Sequence, residues 1–244
     1  MRDPTAPGLV LLHTSAAHVP VFDALRDRNH PGAVLRHLVV PELLDRARVE
    51  GPRAVAPALR EVLTGAGAGA GAGVGAGVGA GAGVGAGGGA GAVAGRGCGP
   101  VLVTCSTIGA IAEGLTPALG APVLRVDRPM AAAAVRTGAR IVVLATVEST
   151  LAPTAELLAE EAGGRPVSIR THLVDGAWER FAAGDAVGSL ALVAAAVDAV
   201  TGADAIVLAQ VSMAGAAELA ATRIPVLSSP AAGLAEGLRQ VAAS

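Results

Sequence analysis

One stretch decides the fold of this chain: Val101-Leu102-Val103-Thr104-Cys105-Ser106-Thr107-Ile108-Gly109. It opens with apolar, β-branched residues typical of a buried strand, and from Ile108 onward the apolar residues recur at helical spacing. Cys105 is therefore predicted to lie where a strand ends and a helix begins. The unpaired N–H groups of a helix start carry partial positive charge, which favours the reactive thiolate and can hold a carboxylate or an oxyanion. The alternative is a small buried cysteine that only packs.

Strands and helices alternate along the whole chain on either side of this stretch. Further apolar runs predict strands at 8–14, 35–40, 123–126, 141–146, 167–174, 206–209 and 225–227. Segments with helical patterning follow most of them, at 19–25, 42–48, 53–63, 130–136, 151–161, 190–200, 213–221 and 232–241. Such alternation predicts an α/β fold with doubly wound parallel sheets.

The sequence also repeats itself. VLVTCSTIGAIAEGL (101–115) matches IVLAQVSMAGAAELA (206–220), which pairs Cys105 with Gln210. In the same order, VLLHT (10–14) matches VVLAT (142–146), RHLVV (36–40) matches THLVD (171–175), and APVLRVDRP (121–129) matches IPVLSSP (224–230). We therefore predict two pseudo-symmetric halves that face each other across a cleft. The first half is expected to comprise 1–126 plus 228–244, and the second 127–227.

A low-complexity tract of Gly, Ala and Val occupies 65–95. Thr14 and Cys105 are 91 residues apart, whereas their counterparts Thr146 and Gln210 are 64 apart, and the excess of 27 is close to the length of the tract. The tract is thus predicted to be an insertion in the first half. It lacks large apolar side chains, so we expect a flexible surface loop and not a membrane span. Silk-like β-aggregation of its GAGAGV motif is the alternative.

Composition excludes several classes of function. A net charge of −2 and only three aromatic residues argue against a nucleic-acid partner. All 18 basic residues are Arg, so no lysine is present to form a Schiff base with pyridoxal phosphate. The two cysteines, Cys98 and Cys105, do not make a disulfide framework, and no secretory signal opens the chain. A cytoplasmic protein is expected.

Ligands of open parallel sheets bind beyond the carboxyl ends of the strands. Cys105 converges there with residues predicted to bind a substrate, namely His13, Thr14, Ser15, Ser106, Thr107, Thr146, Gln210 and Ser212. Small hydroxyl groups and one thiol suit a small carboxylate and not a large aromatic ligand. No metal site is predicted. His13 is either a proton donor or a structural histidine, and Glu148 is a second, weaker acid–base candidate.

These residues resemble the aspartate/glutamate/hydantoin racemase superfamily. Cys105-Ser106-Thr107 is similar to its first cysteine motif, and the strand ending in His13-Thr14-Ser15, the pair Ala145-Thr146 and the segment Asp127–Met130 also fit it. The resemblance covers nearly the whole chain apart from the 65–95 tract. It implies two similar α/β halves that each supply one catalytic cysteine, no cofactor, and a homodimer.

The chain departs from that pattern at Gln210. The second superfamily motif is of the Gly-Cys-Thr type, and here the position reads Ala209-Gln210-Val211. An amide does not titrate near neutral pH, so it cannot act as the second acid or base of a racemase. The resemblance therefore implies an enzyme of the racemase, isomerase or decarboxylase type that acts at the α-carbon of a small carboxylate, amino acid or hydantoin through Cys105 alone. The alternative is a degenerate member that binds such a ligand without catalysis.

Overall fold

The computed structural model describes residues 8–68 and 99–244. Within these ranges the chain forms two four-stranded sheets in which every pairing is parallel. The first sheet has the order β2-β1-β3-β4 and the second the order β6-β5-β7-β8. The strands are Leu9–His13 (β1), Leu35–Val39 (β2), Val101–Val103 (β3), Val123–Arg125 (β4), Arg140–Ala145 (β5), Ser168–Leu173 (β6), Ala205–Leu208 (β7) and Val226–Ser228 (β8).

Helices connect the strands. They are His18–Asn29 (α1), Glu42–Glu50 (α2), Ala56–Ala68 (α3), Ser106–Glu113 (α4), Thr116–Leu119 (α5), Arg128–Thr137 (α6), Leu151–Ala162 (α7), Ala177–Ala182 (α8), Ala186–Asp198 (α9), Ala216–Leu219 (α10) and Ser229–Ala243 (α11). Short 3₁₀ turns precede three of them, at Pro52–Val55, Glu148–Thr150 and Val211–Met213. No helix in the described ranges is long and apolar enough to cross a membrane.

The predicted fold class is confirmed, since two sheets of the same strand order form two pseudo-symmetric α/β halves. The sequence pattern did not predict the short helices α5 and α8. The first sheet ends at Arg125, and the second runs from Arg140 to Ser228. The domain boundaries at 126/127 and 227/228 stay predictions. Cys98 and most of the 65–95 tract lie outside the described residues, so the loop predicted there does too.

Helices cover both faces of each sheet, which explains why the inner strands β1, β3, β5 and β7 are almost entirely apolar. In β1, Val10 and Leu12 pack with residues of α2, α3 and α4, whereas Leu9 and Leu11 pack with residues of α1 and α11. This alternation follows the two-residue period of a strand. In the second sheet, α6 and α7 cover one face while α9 and α10 cover the other. Because α11 packs against Leu9 and Leu11, the C-terminal helix belongs to the core of the first half.

Helix α11 lies very close to the first sheet at two glycines. A Cβ atom at Gly233 would lie 2.5 Å from the carbonyl oxygen of Val126, and one at Gly237 would lie 2.7 Å from Leu9 Cδ2. Residues four apart share one face of a helix. The two glycines therefore form a strip without side chains on which α11 approaches the sheet.

A buried ion pair lies where the two halves join. Arg125 donates from Nε and Nη2 to the two carboxylate oxygens of Asp127, at 2.9 and 3.0 Å, and both side chains are at most 3% exposed. Arg125 Nη2 also lies 3.4 Å from the carbonyl oxygen of Pro153 in α7. The bidentate geometry compensates two charges that would otherwise be buried without a partner. Residues from the end of the first sheet are thereby attached to the second half.

The internal repeat holds in the structure for three of its four segments. Cys105 and Gln210 each lie two residues beyond the equivalent strands β3 and β7, as the repeat predicts. The β2 and β6 segments are shifted by one residue, because His37 pairs with Leu11 whereas His172 pairs with Leu144. A shift of one residue places a side chain on the opposite face of a sheet. His37 is accordingly largely buried and His172 is exposed, so the predicted equivalence of the two histidines is wrong.

The close approach of α11 makes a specific stability prediction. Alanine is favoured over glycine inside a helix by about 1 kcal/mol, so helix propensity alone predicts that Gly233→Ala stabilises the protein. Because the added Cβ would meet the backbone of Val126, we expect instead a loss of about 1–3 kcal/mol in the free energy of unfolding, measured by urea denaturation. Gly114→Ala is the control, since its Cβ would make only ordinary contacts at 3.5 Å. A Gly233→Ala protein at least as stable as the parent would contradict the packing described.

Candidate active site

The carboxyl ends of both sheets meet at one cavity of about 50 Å³. This is several times the roughly 10–15 Å³ that a single water molecule requires. The cavity is lined from the first half by Thr14, Ser15, His18, Leu44, Arg48, Thr104, Cys105, Ser106 and Thr107, and from the second half by Val147, Thr150, Trp178, Phe181, Gln210, Val211 and Ser212. Parallel strands place their carboxyl ends along one edge of a sheet, which is why loops far apart in sequence converge here.

Cys105 is the N-cap residue of α4. Its backbone is extended (φ −107°, ψ 113°), and its side chain is 8% exposed and lines the cavity. The N–H groups in the first turn of a helix have no acceptor within the helix and carry partial positive charge. Ser106 and Thr107 begin that turn and also line the cavity. The thiol therefore lies beside donors that suit a carboxylate or an enolate oxygen.

One hydrogen bond connects the two halves at the site. Ser106 Oγ donates to the carbonyl oxygen of Ala209 at 2.9 Å, and both residues are buried. Ser106 follows Cys105 and Ala209 precedes Gln210, so the bond sets the separation between the two positions that the repeat makes equivalent.

Gln210 enters the cavity with a fixed orientation. Its Oε1 atom accepts hydrogen bonds from the backbone N–H of Thr146 at 2.6 Å and from Thr146 Oγ1 at 3.0 Å. An amide NH₂ group cannot accept from a backbone N–H, so the assignment of oxygen and nitrogen in this side chain is unambiguous. Nε2 makes no hydrogen bond to the described residues and is left as a donor. The second half therefore offers a neutral N–H donor where the first half offers a thiol.

Three histidines lie behind the thiol. His13 Nδ1 is 2.8 Å from Thr104 Oγ1, His13 Nε2 is 2.8 Å from His37 Nδ1, and His18 Nδ1 is 3.4 Å from the same threonine oxygen. The rings of His13 and His37 are stacked with centroids 5.1 Å apart. His37 Nε2 lies 3.5 Å from Asp23 Oδ1. Strands β1, β2 and β3 are thus connected through side chains immediately before Cys105.

Hydrogen-bond counting assigns the protons of this cluster. Thr104 Oγ1 donates its single proton to the carbonyl oxygen of Leu12 at 3.2 Å, so it accepts from His13 Nδ1–H. His13 Nε2 then accepts from His37 Nδ1–H. Burial, together with smaller effects of the neighbouring His18 and His37, lowers the pKa of His13 to about 3; burial lowers the pKa of His18 to about 4. His13 and His18 are therefore uncharged at neutral pH.

The structure brings together most of the side chains that the sequence predicts for the site. Seven of the nine line the cavity: Thr14, Ser15, Cys105, Ser106, Thr107, Gln210 and Ser212. Two do not, because His13 is fully buried behind Thr104 and Thr146 is turned to Gln210. Glu148 is exposed and does not line the cavity. The substrate contacts of all these residues stay predictions. No group of three His, Cys, Asp or Glu side chains in the described ranges is arranged to hold a metal ion.

Sequence reasoning missed several lining residues, namely His18, Leu44, Arg48, Trp178 and Phe181. Their positions in the sequence, shortly after predicted strands, indicate that they could lie near the site. His18 begins the helix that follows β1, and helices α2 and α8 begin soon after the edge strands β2 and β6. Two of the three aromatic residues also fall within eight positions after β6. The rule that ligands bind beyond strand ends applies to these loops as it does to the central ones.

The fold matches solved structures of racemases and of a decarboxylase. Glutamate racemase from Bacillus anthracis matches with a TM-score of 0.65 at 14% identity over 98% of this chain and 83% of its own. Allantoin racemase from Pseudomonas fluorescens gives 0.62 at 16% identity over 96% and 90%. A variant of arylmalonate decarboxylase gives 0.55 at 16% identity over 97% and 94%. No protein-family model and no curated protein matches the chain.

The chain thus has the fold of these enzymes. The racemase resemblance predicted from the cysteine motif and the repeat is confirmed at the level of the fold.

The lowered pKa values of His13 and His18 predict a loss of stability in acid. In the unfolded chain each takes up a proton near pH 6.5, whereas folded His13 stays neutral down to about pH 3 and folded His18 down to about pH 4. Their contribution to stability is complete above pH 6.5 and declines as the pH falls toward 4, by about 1.4 kcal/mol per pH unit for each histidine. Unfolding free energies measured between pH 7 and pH 4.5 should show this slope.

Two variants separate this effect from the titration of other groups. In His13→Gln we expect the slope of unfolding free energy against pH to fall by about 1.4 kcal/mol per pH unit, the contribution of one proton. In His172→Gln, which alters an exposed histidine, we expect the slope to stay unchanged. Equal slopes in the parent and in His13→Gln would contradict the assignment of a neutral buried imidazole.

Proposed function

We propose that the protein is a cofactor-independent enzyme of the racemase and isomerase type, which acts at the α-carbon of a small carboxylate, amino acid or hydantoin through a single thiol. The observation that carries this proposal is the placement of Cys105 and Gln210, which line one cavity from opposite halves at equivalent positions. The fold shared with glutamate racemase and allantoin racemase supports the same class of chemistry.

Each group has a distinct role in this proposal. The first turn of α4, with Ser106 and Thr107, binds the substrate carboxylate through N–H and hydroxyl donors. The thiolate of Cys105 removes the proton from the α-carbon, and the same donors stabilise the charge that develops on the enolate oxygens. The thiol exchanges its proton with the solvent and then returns a proton to the same face of the α-carbon, so a deuteron is incorporated in deuterated water. Gln210 donates a hydrogen bond from Nε2 on the other face, but its amide does not release a proton near neutral pH.

Such a one-sided site favours reactions that need one proton transfer at the α-carbon. Exchange of the α-proton with retention, or protonation of an enolate on one face after loss of another group, needs only Cys105. Racemisation needs a second acid on the opposite face, which an amide does not provide. We also propose, from the cysteine usage and from the resemblance respectively, that the protein acts in the cytoplasm and forms a homodimer.

Replacement of the thiol tests the proposal directly. The protein is incubated in deuterated water with a panel of D- and L-amino acids, hydantoins and malonates, and deuterium at the α-carbon is measured by mass spectrometry. We expect incorporation with at least one class and a decrease of about 100-fold or more in Cys105→Ala, since acid–base groups contribute about 10²–10⁴-fold. Cys98→Ser is the control for the other cysteine. Unchanged exchange in Cys105→Ala would exclude the mechanism, and no exchange in the parent would favour a binding protein without catalysis.

A second thiol should alter the stereochemical outcome. Gln210→Cys places a titratable group at the position equivalent to Cys105, so we expect this variant to invert the α-carbon of a substrate that the parent only exchanges. Chiral chromatography of the recovered substrate measures the inversion, with Gln210→Ser as the control that lacks a thiol. A parent protein that already inverts as fast as it exchanges would show that the opposite face has an acid of its own.

A further inference from the structure

The cavity has an apolar side that the hydroxyl-rich motifs do not predict. Trp178 and Phe181, two of the three aromatic residues in the chain, both line it, and their ring centroids are 5.7 Å apart. Both belong to α8 of the second half. Leu44 of α2 lines the cavity from the first half. We call Leu44, Trp178 and Phe181 the apolar wall.

Topology separates the apolar wall from the polar residues. The hydroxyl and thiol side chains come from segments that follow β1, β3, β5 and β7, which are the inner strands of the two sheets. Helices α2 and α8 instead follow β2 and β6, the edge strands that flank β1 and β5. The polar and apolar parts of the lining therefore lie side by side along the cleft, as a ligand with one charged end and one apolar end requires.

The charges around the cavity argue against a second carboxylate on the ligand. Among the residues that the structure describes, Arg48 is the only arginine that lines the cavity, and no Asp or Glu lines it. The Arg48 guanidinium lies over the Trp178 ring, 4.9 Å from its centroid, and the rest of that side chain is exposed. His18, the other basic group, is uncharged at neutral pH because burial lowers its pKa to about 4. A second carboxylate placed against the apolar wall would lose its hydration with one partly engaged cation as its only partner.

We propose that the site takes monocarboxylates whose α-carbon carries a compact apolar group, and that Leu44, Trp178 and Phe181 form the wall that selects them. The inference rests on the carboxylate site proposed above. The cavity of about 50 Å³ suits a short branched aliphatic group. A phenyl ring is larger, and in this proposal its binding requires the Arg48 guanidinium to leave the Trp178 face.

Trp178 is the only tryptophan in the chain, so its fluorescence reports binding at this wall and nowhere else. The full-length protein is titrated with four probes: 3-methylbutanoate, phenylacetate, acetate and succinate. We expect Kd values for the first two to be at least 10-fold lower than those for acetate and succinate. Tighter binding of succinate than of phenylacetate, with loss of succinate binding in Arg48→Ala, would overturn the proposal in favour of a dicarboxylate site.

Variants link the preference to the wall. Phe181→Ala should weaken the binding of 3-methylbutanoate and phenylacetate about 5- to 10-fold and leave the binding of acetate unchanged. Val187→Ala is the matched control, since Val187 is an apolar residue of the same half that is 79% exposed. Equal loss in the two variants, or a uniform loss for all four probes in Phe181→Ala, would contradict selection by the wall.

The fluorescence titration does not depend on turnover. Intact selective binding without any α-proton exchange in the parent would therefore contradict the proposed enzyme activity and leave the ligand class standing. Exchange confined to dicarboxylate substrates would do the reverse.

Discussion

The hydrogen bond from Ser106 to the carbonyl oxygen of Ala209 is the contact on which the site depends. It is buried, and it joins the carboxyl edges of two sheets that share no strand. If Ser106 were lost, the Ala209 carbonyl would remain buried without this donor, which is unfavourable by about 1–3 kcal/mol. Because the two bonded residues adjoin Cys105 and Gln210, the same bond that holds the halves together also sets the width of the cleft.

Around this contact the two halves have become chemically different while their backbones stay alike. Thr14 and Thr146 follow equivalent strands, yet Thr14 lines the cavity and Thr146 holds the oxygen of Gln210. In the first half, the neutral imidazoles of His13 and His18 lie beside Thr104, which precedes the thiol of Cys105. In the second half, the oxygen of the Gln210 amide already accepts hydrogen bonds from Thr146. One half therefore carries a titratable thiol at the cavity, and the other carries a neutral amide at the equivalent position.

The sequence predicts the fold and the central positions of the site because both depend on backbone periodicity. Alternating strands and helices define the sheets, and the repeat places Cys105 and Gln210 two residues beyond equivalent strands. His13 was wrongly expected to line the cavity because it ends the strand β1. The two-residue alternation of β1 instead places its side chain with those of Leu9 and Leu11 on the α1 face, where it contacts Phe22. The one-residue shift between His37 and His172 depends on strand register. The two segments have similar sequences, so their alignment does not show this shift.

The strand-end rule locates the segments of the apolar wall near the site, but it does not show which of their side chains turn into the cavity. Helix α8 has only six residues, too few for a periodic pattern to show which face it buries. Its aromatic side chains meet α2 of the other half only because the two sheets face each other, as the stacking of Arg48 on Trp178 illustrates. Contacts of this kind depend on tertiary arrangement and leave no local signature.

The return of α11 to the first sheet also constrains the order of events as the chain leaves the ribosome. Leu234 of this last helix completes the core above Leu9 and Leu11, so the N-terminal sheet is synthesised first but lacks one of its covering layers until the end. The second sheet and its helices α6 to α10 form a contiguous stretch that is complete earlier. We therefore expect the C-terminal half to consolidate first during synthesis, with the N-terminal half waiting for the last fifteen-residue helix.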